Sequence, residues 1–281
     1  MTINVVYSCD DNYLEHFCVS LYSLLEAESS CVKCHLLFSG SPSSDKLVKV
    51  LGEFGNMISV YFPEESDFEN AKTDSNIPVA AYFRLLLADY FGDIDRVVYL
   101  DCDTVITRSI EELFKLDMRG NVIAAVADPG VGESVKNKLG VSAYFNSGVM
   151  LVDIKRFGLY KSEMFNFLMQ HERITFHDQC VLNYVLRDSW LALPDFWNYM
   201  SNNFKSGGST LFDFAVLHYN SIYGKPWELN CTHPLKCMYL YVRSRTIFSG
   251  EPLRRGRLVV SLRNRYKWID SILKLIRGYD K

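Results

Sequence analysis

Two carboxylates placed two residues apart form the most informative chemical motif of the chain. Asp101 and Asp103 flank Cys102 at the end of the apolar run Arg96–Leu100, which has the composition of a buried strand in an α/β sheet. Ligand sites in such sheets lie beyond the carboxyl ends of the strands. Side chains two residues apart on an extended chain face the same way, so both carboxylates could hold one divalent cation while the Cys102 thiol packs on the other side. An acidic turn that ends the strand is the alternative.

Three other polar groups follow or open predicted strands, and each also has a purely structural interpretation. Asp10 and Asn12 could cap a helix, Asn146 and Gly148 could form a turn, and His218 could be a structural histidine. One shared site at the edge of the sheet would explain these groups and the two carboxylates together. We therefore expect them to lie close to one another.

Such a combination suits a nucleoside diphosphate substrate and a metal ion. Two carboxylates and the His218 imidazole leave coordination positions that diphosphate oxygens can fill. A mixed oxygen and nitrogen ligand set suits Mn²⁺ better than Mg²⁺, which prefers oxygen octahedra and is the second choice. Lys225 could add positive charge to the same diphosphate. Asp10 or Asn12 could hydrogen-bond a base, and Tyr13 could stack on it.

The elements that must position these groups alternate between strands and helices. Strands predicted at 3–8, 35–38 and 57–62 are separated by helices at 13–28 and 43–54, an order that predicts parallel strands with right-handed crossovers. Further along, the pattern predicts helices at 78–91, 162–172 and 179–186 and strands at 96–100, 122–126, 148–154, 191–193 and 214–218. The fold class is therefore α/β, with a Rossmann-like, mostly parallel sheet flanked by helices.

Length and composition favour one large domain with an appendage. The 281 residues are 48% hydrophobic, which is enough to bury a sizeable core. No apolar stretch reaches about 18 residues, the length that spans a membrane, and the first residues lack a signal-peptide pattern. We therefore expect a cytoplasmic protein whose eight cysteines are free thiols. Zinc held by Cys31, Cys34 and residues 231–237 is the alternative.

The appendage differs from the rest of the chain in charge. Residues 243–281 carry eleven Lys and Arg residues against three Asp and Glu residues, whereas residues 1–242 carry a net charge of −11. Residues 262–276 predict a basic amphipathic helix, a type that binds anionic membrane surfaces. Docking of this helix on its own domain or on a partner subunit is the alternative. We place the domain at residues 1–242 and the tail at 243–281, and we expect no nucleic-acid partner.

Six motifs occur in order at compatible spacing between about residues 3 and 230. They are DDNY at 10–13, AYFRL at 81–85, YLDCD at 99–103, FNSGVML at 145–151, HDQ at 177–179, and HY at 218–219 with KPW at 225–227. Together they resemble glycosyltransferase family eight, of the bacterial lipopolysaccharide galactosyl- and glucosyltransferase type, with glycogenin as a more distant relative. The resemblance implies a GT-A fold and transfer of galactose or glucose from a UDP-sugar to a glycan or glycolipid acceptor, with retention of the anomeric configuration.

The resemblance also implies roles for individual residues by position. The implied manganese ligands are Asp101, Asp103 and His218. The implied nucleoside contacts are Asp10, Asn12 and Tyr13, with backbone contacts from Ser8 or Cys9, and Lys225 is the implied diphosphate contact. The residues implied around the donor sugar are Arg84, Asn146, Gly148, Asp178 and Gln179.

The chain departs from the family pattern at two places. The segment between His218 and Lys225 is longer than usual and lacks the usual glycine spacing, which predicts a reshaped loop over the diphosphate. Cys180 stands where the family often has an acid after the Asp-Gln pair, which puts acceptor contacts in question.

The catalytic candidates are Arg84, Asp178 and Gln179. Arg84 more readily orients the donor than transfers a proton, because its pKa is too high. Gln179 is a weak nucleophile, whereas Asp178 could form a covalent intermediate. We favour attack from the face that the leaving group departs from, with a phosphate oxygen accepting the acceptor proton.

Two other function classes fit the same residues. A sugar-1-phosphate nucleotidyltransferase also uses an α/β sheet with paired carboxylates, but the chain has acidic residues instead of a Gly-rich basic loop after strand one. A non-catalytic nucleotide-sugar binding protein is the third hypothesis.

Overall fold

A seven-stranded sheet lies at the centre of the molecule and positions the polar groups described above. The computed structural model describes residues 1–68, 78–170, 177–206, 214–220 and 223–253. The strands of the large sheet are β1 (Thr2–Asp10), β2 (Cys31–Ser39), β3 (Ile58–Tyr61), β4 (Arg96–Leu100), β6 (Ile123–Ala127), β7 (Phe145–Asp153) and β8 (Trp190–Leu193), in the order β3-β2-β1-β4-β7-β6-β8. A second sheet has the order β5-β10-β9, with β5 at Thr104–Ile106, β9 at Tyr199–Met200 and β10 at Val216–His218.

The sheet is mostly parallel, as predicted. Strand β1 pairs in parallel with β2 and β4, and β2 pairs in parallel with β3. Alternate residues of β1 enter different cores: Val5 and Tyr7 pack on one side of the sheet and Val6 on the other, because successive side chains of a strand point to opposite faces. Helices cover both faces, so the strands are apolar on both sides.

Strand β7 runs antiparallel to its neighbours β4 and β6. Its amino-terminal half therefore lies beside the carboxyl end of β4, where Leu100 pairs with Val149. The strand predicted at 148–154 begins earlier, at Phe145, so the alternative that Asn146 and Gly148 form a turn was wrong. These residues lie within the sheet beside Asp101, whose backbone N–H donates to the Gly148 carbonyl over 2.7 Å.

Helices are present where they were predicted at 13–28, 43–54, 162–172 and 179–186, while the short helices at 111–115, 133–139, 154–158 and 236–243 were not predicted. Between residues 78 and 91 the predicted single α-helix was wrong. There a 3₁₀ helix, Val79–Leu86, precedes the short helix α3 (Leu87–Phe91). Nearly all side chains of the 3₁₀ helix are buried, so tertiary packing outweighs the preference for a single α-helix. The remaining helices are α1 (Leu14–Ala27), α2 (Asp45–Phe54), α4 (Glu111–Lys115), α5 (Glu133–Leu139), α6 (Ile154–Gly158), α7 (Lys161–Gln170), α8 (His177–Val185) and α9 (Lys236–Arg243).

Helix α9 crosses the predicted domain boundary and packs on α1. The Arg243 Nε atom lies 2.5 Å from the Glu15 carboxylate, both side chains being buried, and Phe248 belongs to the main core. Arg243 and Phe248, which lie in the predicted tail, therefore pack on the domain. The division into two domains stays a prediction, and the amphipathic helix predicted at 262–276 lies outside the described residues. All eight cysteines are free, and within the described ranges no helix is long and apolar enough to cross a membrane.

Candidate active site

Three side chains predicted as metal ligands converge at the edge of the sheet. Ligand atoms of Asp101, Asp103 and His218 all lie within 4.8 Å of one another. The His218 Nε2 atom is 3.2 Å from Asp103 Oδ1 and 3.8 Å from Asp101 Oδ2. Neighbouring ligands of an octahedral divalent cation are separated by about 3 Å. The residues therefore fit such an ion in both chemistry and spacing.

In both Asp101 and Asp103, the carboxylate oxygen that does not face His218 contacts a cationic side chain. Arg84 Nη2 lies 2.8 Å from Asp101 Oδ1, and Lys225 Nζ contacts Asp103 Oδ2. Burial alone would raise the pKa of Asp103, but Lys225 and His218 outweigh it and hold that pKa well below its usual range. Burial would likewise lower the pKa of His218, but the Asp103 carboxylate raises it above the ordinary value. The site thus keeps the Asp103 carboxylate ionised.

Gly148 provides the space in which these groups meet. A β-carbon at this position would lie 2.4 Å from His218 Cε1 and 2.6 Å from Asp101 Oδ2. Both distances are below any normal contact between heavy atoms. A glycine is therefore required where β7 passes beneath the metal-site residues.

Arg84 connects the metal-site carboxylate to the predicted sugar site. Its guanidinium donates to Asp101, to the Asp178 carboxylate at 3.0 Å, and to the Ser147 carbonyl and hydroxyl at 2.9 Å. It also lies 4.5 Å from the Tyr99 ring centroid. Burial raises the pKa of Asp178 to about 6, with Arg84 opposing the rise. Arg84 is therefore positioned as a bridge between the half-buried Asp101 carboxylate and the buried Asp178 carboxylate.

Gln179 and Asn146 lie on the far side of Arg84 and share one acidic partner. Gln179 Oε1 accepts the Ser147 backbone N–H at 3.0 Å. Asn146 Nδ2 and Gln179 Nε2 both donate to Asp128 Oδ2, at 3.1 and 3.4 Å. The amide oxygen of Gln179 is thus held by the backbone of β7, and Asp128 joins the cluster.

The residues that follow β1 form a closed turn. Asp10 Oδ1 accepts the backbone N–H groups of Asn12 and Tyr13 at 3.0 and 3.1 Å, and Asn12 Nδ2 donates to Asp10 Oδ2. Ser8 Oγ lies 2.6 Å from the Tyr99 hydroxyl, and Cys9 is buried. Asp10 thus closes a turn ahead of α1. The prediction that Asp10 or Asn12 caps this helix was wrong, because its N-cap is Tyr13, whose side chain forms no capping hydrogen bond. Contact of these residues with a nucleoside stays a prediction.

The segment that carries Lys225 is anchored to α1 by aromatic side chains. Trp227 stacks on His16 with ring centroids 3.5 Å apart and meets Tyr13 edge-on at 5.7 Å. His16 Nδ1 is 2.7 Å from the Tyr239 hydroxyl of α9. Gly224 has a φ of 79°, a backbone conformation that favours glycine. Helices α1 and α9 thereby hold Lys225 over Asp103.

Sequence reasoning missed three residues of this site. Asp128 directly follows β6, and this position at the end of a strand could have marked it. Asn198, whose Oδ1 atom lies 3.0 Å from His218 Nδ1, follows the short 3₁₀ helix Asp195–Trp197, and no pattern marks it. His16 has helical spacing, one turn after Tyr13, and only this proximity could have indicated it.

Comparison with known proteins decides the family. The sequence profile of glycosyl transferase family 8 matches residues 4–231. The chain belongs to glycosyl transferase family 8. Its matched range contains Asp101, Asp103 and His218, so the metal-site residues are part of the family region.

Similar proteins include enzymes of this family. General stress protein A of Bacillus subtilis (strain 168) is 30% identical over 270 residues, covering 87% of this chain and 94% of that protein. Lipopolysaccharide 1,3-galactosyltransferase of Salmonella typhimurium (strain LT2) is 29% identical over 267 residues, covering 88% of this chain and 79% of that protein.

A solved structure supports the same conclusion for the fold. The crystal structure of galactosyltransferase LgtC in complex with donor and acceptor sugar analogs aligns with a TM-score of 0.80 at 25% identity, covering 94% of this chain and all of that one. The predicted GT-A fold is therefore confirmed. This family 8 member is a glycosyltransferase with an Asp-x-Asp motif at the edge of its sheet.

Proposed function

We propose that this glycosyltransferase moves galactose or glucose from a UDP-sugar to a glycan or glycolipid acceptor, with retention and with bound Mn²⁺. The observation that carries the proposal is the convergence of one ligand atom each from Asp101, Asp103 and His218 within 4.8 Å. Similarity to a lipopolysaccharide 1,3-galactosyltransferase supports a hexose donor and a glycolipid acceptor.

One group of site residues is proposed to act on the diphosphate and another on the sugar. Asp101, Asp103 and His218 would hold the metal ion, which when bound stabilises negative charge on the departing diphosphate. Lys225 lies against Asp103 and supplies a second cation on the same side. Preorganised charges of this kind are usually the largest single catalytic contribution. Mg²⁺ is the second choice, because the His218 nitrogen suits Mn²⁺ better.

Retention by same-face attack agrees best with the polar contacts around the sugar site. Gln179 Oε1 already accepts a backbone hydrogen bond, and an amide lacks the charge of a good nucleophile. The Asp178 carboxylate is paired with Arg84 at 3.0 Å, which lowers its nucleophilicity. Asn146, Gly148, Asp178 and Gln179 then position the donor sugar, and Arg84 orients this cluster. A covalent intermediate on Asp178 is the competing mechanism.

The turn after β1 is our proposed nucleoside site. Asp10 ends β1 and Asn12 and Tyr13 follow it, at the same edge as Asp101, because β1 and β4 are parallel neighbours. Backbone groups of Ser8 or Cys9 complete it. Tyr13 also contacts Trp227, so this turn packs against the Lys225 segment.

The decisive variant is Asp103→Asn, which keeps size but removes the charge. Release of UDP from UDP-galactose and UDP-glucose with Mn²⁺ should show a fall in kcat/KM of about 100-fold or more, the scale of a major electrostatic element. Asp153→Asn is the matched control. Asp153 lies opposite Arg96 in the strand register, at the end of β7 away from the site, and its side chain caps α6. Asparagine caps a helix about as well as aspartate.

Each alternative function has its own outcome in this assay. Full activity of Asp103→Asn would refute the metal assignment. Pyrophosphate release from UTP and a sugar 1-phosphate would identify a nucleotidyltransferase. Binding of every UDP-sugar without hydrolysis or transfer would identify a non-catalytic binding protein. The anomeric configuration of the product, read by NMR, tests retention.

A further inference from the structure

We propose that Asn198 is a positioning residue that holds His218 in its metal-binding orientation and couples it to Asn146. This inference rests on the proposed metal site. The Asn198 side chain is fully buried and has two side-chain partners. His218 Nδ1 lies 3.0 Å from its Oδ1 atom, and its Nδ2 atom donates to Asn146 Oδ1 at 2.9 Å.

One backbone donor determines the direction of each hydrogen bond that connects Gly148, Asn146, Asn198 and His218. The Gly148 N–H donates to Asn146 Oδ1 at 3.0 Å, and a backbone N–H can only donate. Asn146 therefore presents its oxygen to Gly148 and Asn198, and its NH₂ group to the Asp128 carboxylate. Asn198 must in turn present its NH₂ group to Asn146 and its oxygen to His218.

The orientation of Asn198 sets the chemistry of the histidine ring. Because Asn198 Oδ1 only accepts, His218 Nδ1 must carry a proton. In the neutral imidazole the lone pair then lies on Nε2, the nitrogen that faces Asp101 and Asp103. An oxygen acceptor on the second nitrogen is the usual arrangement around a metal-bound histidine. Asn198 thus selects the tautomer that can bind a cation.

Strand pairing explains why Asn198 reaches both partners. The residue directly precedes β9, which pairs in parallel with β10 so that Met200 lies opposite His218. Its backbone N–H is satisfied by the Asp195 carbonyl at 3.0 Å. The buried amide therefore links the strand that carries His218 to the strand that carries Asn146, and so the metal site to the proposed sugar site.

Two substitutions separate the two bonds of Asn198. Asn198→Ala removes both and leaves His218 Nδ1 without this acceptor. Asn198→Asp keeps an oxygen acceptor for His218 but removes the donor to Asn146. Loss of such an outer partner typically weakens metal affinity by about 10- to 100-fold.

The test measures Mn²⁺ affinity by the EPR signal of free Mn²⁺, without nucleotide. We expect Asn198→Ala to bind Mn²⁺ about 10- to 100-fold more weakly than wild type, and Asn198→Asp to stay within about threefold of wild type. UDP release should fall in both variants, because both lose the bond to Asn146. Asn203→Ala is the matched control: this buried residue in the same segment bonds Asp195, and its variant should keep wild-type Mn²⁺ affinity.

The outcomes separate this inference from the proposed function. Wild-type protein that binds no Mn²⁺ would refute the metal site itself, and this inference with it. Wild-type binding with unchanged affinity in a folded Asn198→Ala variant would refute only the role of Asn198. If the alanine variant does not fold, Asn198→Asp decides: a loss of tenfold or more in Mn²⁺ affinity would overturn the proposed acceptor role.

Discussion

Substitution of Gly148 by alanine tests whether the site depends on close approach of β7. The added β-carbon would lie 2.4 Å from His218 Cε1 and 2.6 Å from Asp101 Oδ2. Carbon atoms normally approach to about 3.5 Å, so a shift of about 1 Å is needed. Strand β7 is hydrogen-bonded on both sides and cannot move freely. The His218 ring and the Asp101 carboxylate must therefore move instead.

The size of this shift sets two expected effects. Overpacking of a buried position typically destabilises a protein by about 1–3 kcal/mol. Misplacement of a catalytic group by about 1 Å can lower the rate by about 100-fold. We therefore expect Gly148→Ala to fold with reduced stability and to lose about 100-fold in kcat/KM, together with Mn²⁺ affinity.

The assay combines urea unfolding, Mn²⁺ titration by EPR and release of UDP from UDP-hexoses. Gly52→Ala is the matched control, because a β-carbon there meets nothing within 4 Å and Gly52 lies within α2. This control should gain about 0.5–1 kcal/mol in helix stability and keep wild-type activity. A folded Gly148→Ala variant with unchanged Mn²⁺ affinity and turnover would show that the geometry at β7 does not limit the site.

Two further predictions concern pH and the tail. Because burial raises the pKa of Asp178 to about 6, the folded state binds more protons than the unfolded state between pH 4 and 6, and this residue's contribution to stability falls as pH rises through that window. In urea unfolding, the free energy of unfolding of Asp178→Asn should fall less with pH than that of wild type, by up to about 3 kcal/mol. The same pH profile in both proteins would contradict the burial argument. Removal of residues 255–281 should weaken binding to anionic vesicles by about 1 kcal/mol for each basic residue near the surface and leave transfer to a soluble acceptor intact. Unchanged vesicle binding would favour docking of the tail on a protein surface.

Local patterns in the sequence determined much of the fold. The alternation of strands and helices over the first 62 residues predicted parallel pairing of β1, β2 and β3, which the structure confirms. Apolar runs such as Arg96–Leu100 mark buried strands because both faces of the sheet are covered. The 3₁₀ helix Val79–Leu86 was not predictable, since the burial of most of its side chains reflects packing partners far away in sequence.

The candidate site was predictable to the extent that its residues follow strands. Asp101 and Asp103 could be assigned to one edge, because chemistry at the carboxyl ends of parallel strands is a general property of α/β sheets. His218 was predicted to join them, but it ends β10 of the second sheet, antiparallel to β5, so this rule alone does not explain its position. The antiparallel course of β7 could not be read from its apolar sequence, since hydrophobicity does not encode strand direction. Only this course brings Asn146 and Gly148 beside Asp101.

The sequence by itself determined which chemical groups are available: two carboxylates, an imidazole and a lysine suited to a metal and a diphosphate. The tertiary structure decided which partner each group meets. Arg84 joins Asp101 to Asp178, and Asn198 directs the His218 ring. These contacts join residues tens of positions apart, and hydrogen-bond direction depends on geometry over about 3 Å. Residue type and spacing along the chain do not determine such distances.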